Sequence, residues 1–200
     1  LARAAWPERP VRLIVPFAPG GNADLVARTV APTLSERLGQ PVVVENRAGA
    51  GGSVAATAIA RTRWDGVTLM VGSNGPLAIN PVIQPGLGYD PVGDFLPVGL
   101  ILRTPLALTV HRAQPARDLA ALIAEGRAAP GRLAFGTAGN ASTGHLALEM
   151  FNAVTGAGIT HAPYAGGGAL VADLVSGTLA GACVEISTVL PLARDGAVRI

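Results

Sequence analysis

Two kinds of residue pattern in this sequence could do chemistry, and they point in different directions. The first is Asn140-Ala141-Ser142-Thr143-Gly144, which resembles the nucleophile elbow G-x-S-x-G with Asn replacing the first Gly. In an α/β serine hydrolase Ser142 would be the nucleophile, with His161 or His111 as base and Asp173 as the orienting acid. Chain order opposes this alternative, because the acid and then the His normally follow the Ser. Here no His follows His161, and Asp173 lies beyond both candidate bases. His145 falls three residues after Ser142, on the helix itself, and reads as a capping or packing residue.

The second pattern is a series of turns built from Gly and small polar residues. They are Gly20-Gly21-Asn22, Gly49-Ala50-Gly51-Gly52-Ser53, Ser73-Asn74-Gly75, Thr137-Ala138-Gly139-Asn140-Ala141-Ser142-Thr143 and Ala165-Gly166-Gly167-Gly168. Each follows a strand-like run and precedes a helical one, so in an open parallel sheet they gather at the carboxyl ends of the strands, where ligands bind. Gly lets backbone approach a ligand closely, and free N–H groups at a positive helix end attract an anion without a charged side chain. A carboxylate suits such a site.

Other chemistries find little support. The turn at Gly49 begins like a dinucleotide fingerprint but has Val54 where the closing Gly or Ala belongs. All 15 basic residues are Arg, so Schiff-base chemistry and a Walker-type phosphate lysine are excluded. The arginines are scattered, which leaves no electrostatic track for nucleic acid despite the net charge of +2. The three histidines are dispersed and no carboxylate cluster accompanies them, so neither a metal nor any other cofactor is expected. Cys183 is alone in an apolar stretch and reads as a buried, inert thiol.

The elements that must position these turns are legible from periodicity. With 200 residues, half of them hydrophobic and 14 % charged, the chain suits one large domain or two small lobes. Strands are predicted at 11–17, 42–44 and 68–71, with helices from Asn22 or Asp24 to Gly39 and from a Ser53 cap to Arg61. Pro32 predicts a kink or an early end to the first helix. Residues 81–97 read as a long ordered loop, and 98–102 with 106–110 as an extended apolar passage broken by Arg103-Thr104-Pro105. The lobe boundary is placed there, giving lobes of 1–103 and 104–200. The second lobe is expected to carry helices at 116–128 and 144–154, a helix ending near Ser176 and a short one before Arg194. Its strands fall at 133–135, 159–161 and 179–184, and another begins at Val198. Ala2-Arg3-Ala4 fits the tail of a cleaved secretory signal, which predicts a periplasmic protein.

Longer strings carry a resemblance. Pro16-Phe17-Ala18-Pro19-Gly20-Gly21 with Asp24 resembles the first signature of the Bug (TctC-like) receptors of tripartite tricarboxylate transporters. Gly39-Gln40-Pro41-Val42-Val43-Val44-Glu45-Asn46-Arg47 with Gly49-Ala50-Gly51-Gly52 is similar to the second, and Asp65-Gly66-Val67-Thr68-Leu69 to the third. Ile79-Asn80-Pro81, Tyr89-Asp90-Pro91, Gly139-Asn140, His145-Leu146 and His161-Ala162-Pro163-Tyr164 follow in family order. The resemblance runs from Trp6 to Ile200. It implies an α/β, two-lobed periplasmic-binding-protein (type II) fold, each lobe a mostly parallel sheet flanked by helices. It also implies a later return of the chain to lobe one, which these residues do not contain.

By the same resemblance the protein would capture a small carboxylate in an interlobe cleft, catalyse nothing, and present its ligand to membrane transporter subunits or a sensor, acting as a monomer. The first-lobe residues Phe17, Ala18, Gly20, Gly21 and Asn22, with Ser73 and Asn74, would face Ala138, Gly139, Asn140, Ser142 and Thr143 of the second lobe. Tyr164, Ala165, Gly166 and Gly167 would form a further wall. Family members often carry Lys where this chain has Ala165 and Asp where it has Val184, so a ligand without an ammonium group is implied. Pro76-Leu77 suggests a more apolar wall.

Overall fold

A computed structural model describes residues 6–62 and 64–200. The signal-like Ala2-Arg3-Ala4 lies outside them. The chain divides into two compact units, one ending at Ile101 and the other running from Leu102 to Ile200, and each has its own sheet.

The first unit is built on three parallel strands in the order β2-β1-β3: β1 (Val11–Val15), β2 (Val42–Asn46) and β3 (Thr68–Met70). Leu13 and Val15 of β1 pack with Ala27 and Val71, placing α1 (Asn22–Leu38) against the sheet. The helix runs unbroken through Pro32. The helix does not end early there: Val26, Ala27 and Ala31 are buried, and this burial outweighs the one hydrogen bond that proline removes. Gly39, at φ 66°, ends the helix in the left-handed conformation.

Three further expectations are corrected in this unit. Ser53 is the first residue of α2 (Ser53–Ala60) rather than its cap; Gly52 occupies the cap position. The Ser53 hydroxyl instead accepts from Asn80 Nδ2 at 2.6 Å and bonds Gln84 Oε1 at 3.3 Å. The turn expected at Ser73-Asn74-Gly75 and the loop expected at 81–97 give way in part to helix: a π-turn at Gly75–Ile79 leads into the short α3 (Asn80–Ile83). Pro76 and Pro81 each stand in the first turn, where a missing N–H costs nothing. Residues 98–102 form no strand, and Val98 and Leu100 are exposed.

The second unit has five strands in the order β6-β5-β7-β4-β8: β4 (Leu106–His111), β5 (Ala134–Thr137), β6 (Thr160–Pro163), β7 (Gly181–Glu185) and β8 (Val198–Arg199). β5, β6 and β7 are parallel, whereas β4 runs antiparallel to both β7 and β8. Helices cover both faces. Phe135, Ile159 and Cys183 pack with Leu122 of α4 (Leu119–Ala128) and Leu148 of α5 (Thr143–Thr155). Val184 and Ala107 pack with Leu170 and Leu174 of α6 (Gly167–Ser176) and Val189 of α7 (Ile186–Arg194). α4 starts at Leu119 rather than near Ala116, because Asp118 caps it by accepting the Ala121 N–H at 2.8 Å.

Candidate functional site

Each unit brings its predicted turns to the carboxyl edge of its own sheet. In the first, β1 leads through Phe17, Ala18, Gly20 and Gly21 into α1 at Asn22. This loop is held from beneath by Asp24, which is buried. Asp24 accepts the Gly20 N–H at 3.0 Å, the Arg28 guanidinium at 3.0 Å and Asn46 Nδ2 at 2.9 Å. Asn46 also donates to the Phe17 carbonyl at 3.0 Å. Burial works against the Asp24 charge, yet the Arg28, Gly20 and Asn46 hydrogen bonds outweigh it and hold the carboxyl below its ordinary range. The Gly20 N–H is therefore directed at Asp24. Gly21 occupies the α1 cap position and offers no side-chain cap. Ser73 and Asn74 lie after β3, and the Ser73 hydroxyl oxygen is buried without a hydrogen-bond partner.

In the second unit β5, β6 and β7 lead directly to α5, α6 and α7. Parallel strands put these helix starts on one edge. Ala138, Gly139 and Asn140 form the turn after β5; Gly139 at φ 115° and Ala141 at φ 60° take conformations that bend it back on itself. Ser142 caps α5, its Oγ accepting the His145 N–H at 3.2 Å, and is buried. No imidazole nitrogen is bonded to that hydroxyl. Nδ1 of His145 accepts the Ala141 N–H at 3.1 Å, and Nε2 of His161 is bonded to Thr137 Oγ1 at 2.7 Å. Gly144 is required for a different reason than a nucleophile elbow: a Cβ there would stand 2.2 Å from the Cys183 carbonyl oxygen, where α5 crosses β7. The geometry gives Ser142 a capping role and supplies no base for the hydrolase alternative.

The second wall adjoins this turn. The Tyr164 N–H donates to the Thr137 carbonyl at 3.0 Å, and a Cβ on Gly139 would lie 3.1 Å from the Tyr164 carbonyl oxygen. Tyr164 Oη donates to Asp173 Oδ2 at 2.5 Å. That bond, with burial and the carboxylate charge, pushes the phenol up to about 12. Ala165 is exposed, and Gly166 and Gly167 open α6 with no side-chain cap, leaving backbone donors at its N-terminus. Residue types and spacing thus bring Ala138 to Thr143 and Tyr164 to Gly167 together within the second unit, and Phe17 to Asn22 together within the first.

Sequence reasoning missed Glu185, which ends β7 and occupies the cap position of α7 without capping it. Burial raises its carboxyl above the usual range. It hid inside an apolar run beside Val184, and the only signal was a charge in an otherwise hydrophobic strand. Cys183 is buried with its thiol pushed up to about 11, as an inert cysteine should be. Among the described residues no helix is long and apolar enough to cross a membrane.

Two α/β units with ligand-ready turns on the carboxyl edges of parallel strands define the periplasmic-binding-protein class. A sequence model described as "Tripartite tricarboxylate transporter family receptor" matches residues 26–200, and the chain belongs to that family. Protein BugT of Bordetella pertussis is 42 % identical over 195 residues, covering 97 % of this chain and 60 % of the relative. The structure described as R. palustris Rpa4515 with adipate superposes with a TM-score of 0.93 at 39 % identity, over 97 % of this chain and 65 % of the other. MatC from Rhodopseudomonas palustris with bound malate gives 0.91 at 34 %, over 97 % and 66 %. The chain spans about 60 % of the length of BugT.

Proposed function

We propose that this protein is an extracytoplasmic solute-binding protein that captures a small carboxylate and delivers it to a tripartite tricarboxylate-type transporter or a sensor. The observation that carries this reading is the shared edge of β5, β6 and β7, where α5, α6 and α7 all begin. Three positive helix ends and the Gly166-Gly167 backbone suit an anion far better than a neutral solute. Relatives caught with adipate and malate support the ligand class. Asn140, Thr143 and the α6 N-terminus would hold a carboxylate on the second unit. Within the first unit, the Gly21–Asn22 turn and the unpartnered Ser73 hydroxyl are of the same anion-accepting kind. Glu185 stands beside the ligand edge, so an acid able to share or donate a proton there is favoured over a fully ionised one at that end.

A thermal-unfolding screen of ligand-stripped protein tests the reading, using adipate, malate, citrate, benzoate, glutamate and a nucleotide. A true ligand at a hundredfold excess over its Kd adds about 2.7 kcal/mol, which moves the midpoint by several degrees in a domain of this size. A selective shift with a plain carboxylic acid is expected. A shift only with glutamate would overturn the preference for ligands without an ammonium group, and no shift with any acid would overturn the binding role.

A further inference from the structure

Two of the three histidines lie against each other just behind the Ala138–Thr143 turn. The rings of His145, on α5, and His161, on β6, are stacked with centroids 3.9 Å apart and planes 17° from parallel. Each ring is tied to the turn by a different bond. His145 Nδ1 accepts the N–H of Ala141 at 3.1 Å, and this is the residue held at φ 60°. His161 Nε2 meets Thr137 Oγ1 at 2.7 Å, and that hydroxyl also reaches the Gly139 carbonyl at 3.3 Å. An imidazole nitrogen that accepts a backbone N–H must be unprotonated, so the proton of neutral His145 sits on Nε2. Protonation converts Nδ1 from acceptor to donor and sets two N–H groups against each other. A non-glycine residue at φ 60° depends on its surroundings to stay there.

We propose that His145 is a proton-sensitive positioning residue: its neutral imidazole, seated on His161, holds the Ala138–Thr143 turn through the Ala141 N–H, and protonation releases that turn. Among the described residues, the charged groups acting on His161 are His145 itself and Glu149 of α5; β5 contributes the neutral Thr137 hydroxyl. Glu149 Oε1 stands 3.9 Å from His145 Nε2. Burial and the neighbouring ring hold His161 below its ordinary range, so His161 acts as the uncharged platform. Two imidazolium ions at this spacing would repel strongly, and the stack therefore takes its protons in separate steps. The importance of the turn for ligand binding rests on the function proposed above, whereas the latch itself does not.

The test reads the turn directly in ligand-free protein. Amide exchange at Ala141 and the His145 ring nitrogen shifts are followed by NMR from about pH 8 to about pH 5, across the histidine range. Exchange rates are corrected for the intrinsic pH dependence of exchange. In the wild type, the Nε2–H form should predominate at the upper end, and Ala141 protection should fall about tenfold or more as His145 gains a proton, the loss of one hydrogen bond. His145→Asn, whose side-chain oxygen can accept the same N–H without titrating, should keep Ala141 protected throughout. His145→Phe, which keeps a ring on His161 but no acceptor, should expose Ala141 at every pH. Protection of Ala141 that ignores His145 titration, or a wild-type pH step persisting in His145→Asn, would overturn the latch. Should His145→Phe fail to fold, the wild type and His145→Asn still decide the matter. Titration with adipate at about pH 8 is read separately; failure to bind there counts against the binding function, while the exchange data still judge the latch.

Discussion

Tyr164 and Asp173 are joined by a 2.5 Å hydrogen bond that ties the strand end of β6 to the middle of α6. The phenol is the donor and the carboxylate the acceptor, so the bond fixes the wall at the carboxyl edge of the second sheet to the helix that follows it.

Replacing Tyr164 with Phe removes this bond and nothing else of that size. A charge-assisted hydrogen bond on a half-exposed pair contributes about 1 kcal/mol, so urea unfolding should show a loss of that order. A spectrophotometric titration gives an independent check. In the wild type one tyrosine should ionise only near 12, and Asp173→Asn should bring that transition down towards the ordinary tyrosine range.

Asp24→Asn should be more damaging. The substitution leaves the Arg28 guanidinium without its carboxylate and gives Asn46 and Gly20 one acceptor oxygen to share. A loss of about 2 to 3 kcal/mol at neutral pH is expected from breaking a buried charge network with one exposed partner. Because the folded carboxyl is held below its ordinary value, its contribution is present above the unfolded value and lost as the pH falls through the folded one. The difference between wild type and variant should therefore shrink in acid, which unfolding curves at about pH 7 and about pH 3 would show.

Glu185→Gln should behave in the opposite sense. Burial raises the Glu185 carboxyl, so ionising it costs more in the folded than in the unfolded chain. Native protein binds more protons there than unfolded protein over the titration range, and stability falls as pH rises through it. The glutamine variant should melt higher than wild type at neutral pH and lose that advantage once both states are protonated. A lower melting point at neutral pH would show that the carboxylate is satisfied in the folded protein.

Ser142→Ala should cost about 1 kcal/mol of stability through loss of the α5 cap. Ser142→Asp should restore the cap, since its carboxylate can accept the same N–H. It would also put a negative charge at the helix start and so weaken binding of any carboxylate. Stability and affinity therefore separate in the aspartate variant, and a variant that recovered both would remove that helix end from the site.

Much of this arrangement could be read from sequence because Gly and Pro punctuate it. Most of the strands and helices, the turns after β1, β5 and β6, and the end of α1 at Gly39 follow from residue type and period. The readings that failed have a common physical origin. Pro32 and the pair Pro76 and Pro81 look like breakers until packing and first-turn positions are known. Ser53 looks like a cap until the carboxamide of Asn80 claims its hydroxyl. The network under the Phe17 loop joins Asp24 to Asn46, residues from different elements, and no local pattern announces such a partnership. The stacking of His145 on His161 is equally invisible in the sequence, since neither residue is near the other along the chain.

The antiparallel course of β4 carries a consequence for how the second unit is made. β4 pairs Leu106 with Glu185 and Val110 with Arg199, so one side of this sheet joins the earliest strand of the unit to its two latest. Such pairings raise contact order and slow folding. On a ribosome, β4 must wait, apolar face uncovered, until β7 and then β8 emerge, while β1 can pair with β2 and β3 long before. A chain released from translation before β8 would thus carry paired β1, β2 and β3 together with a second sheet still lacking one of its strands.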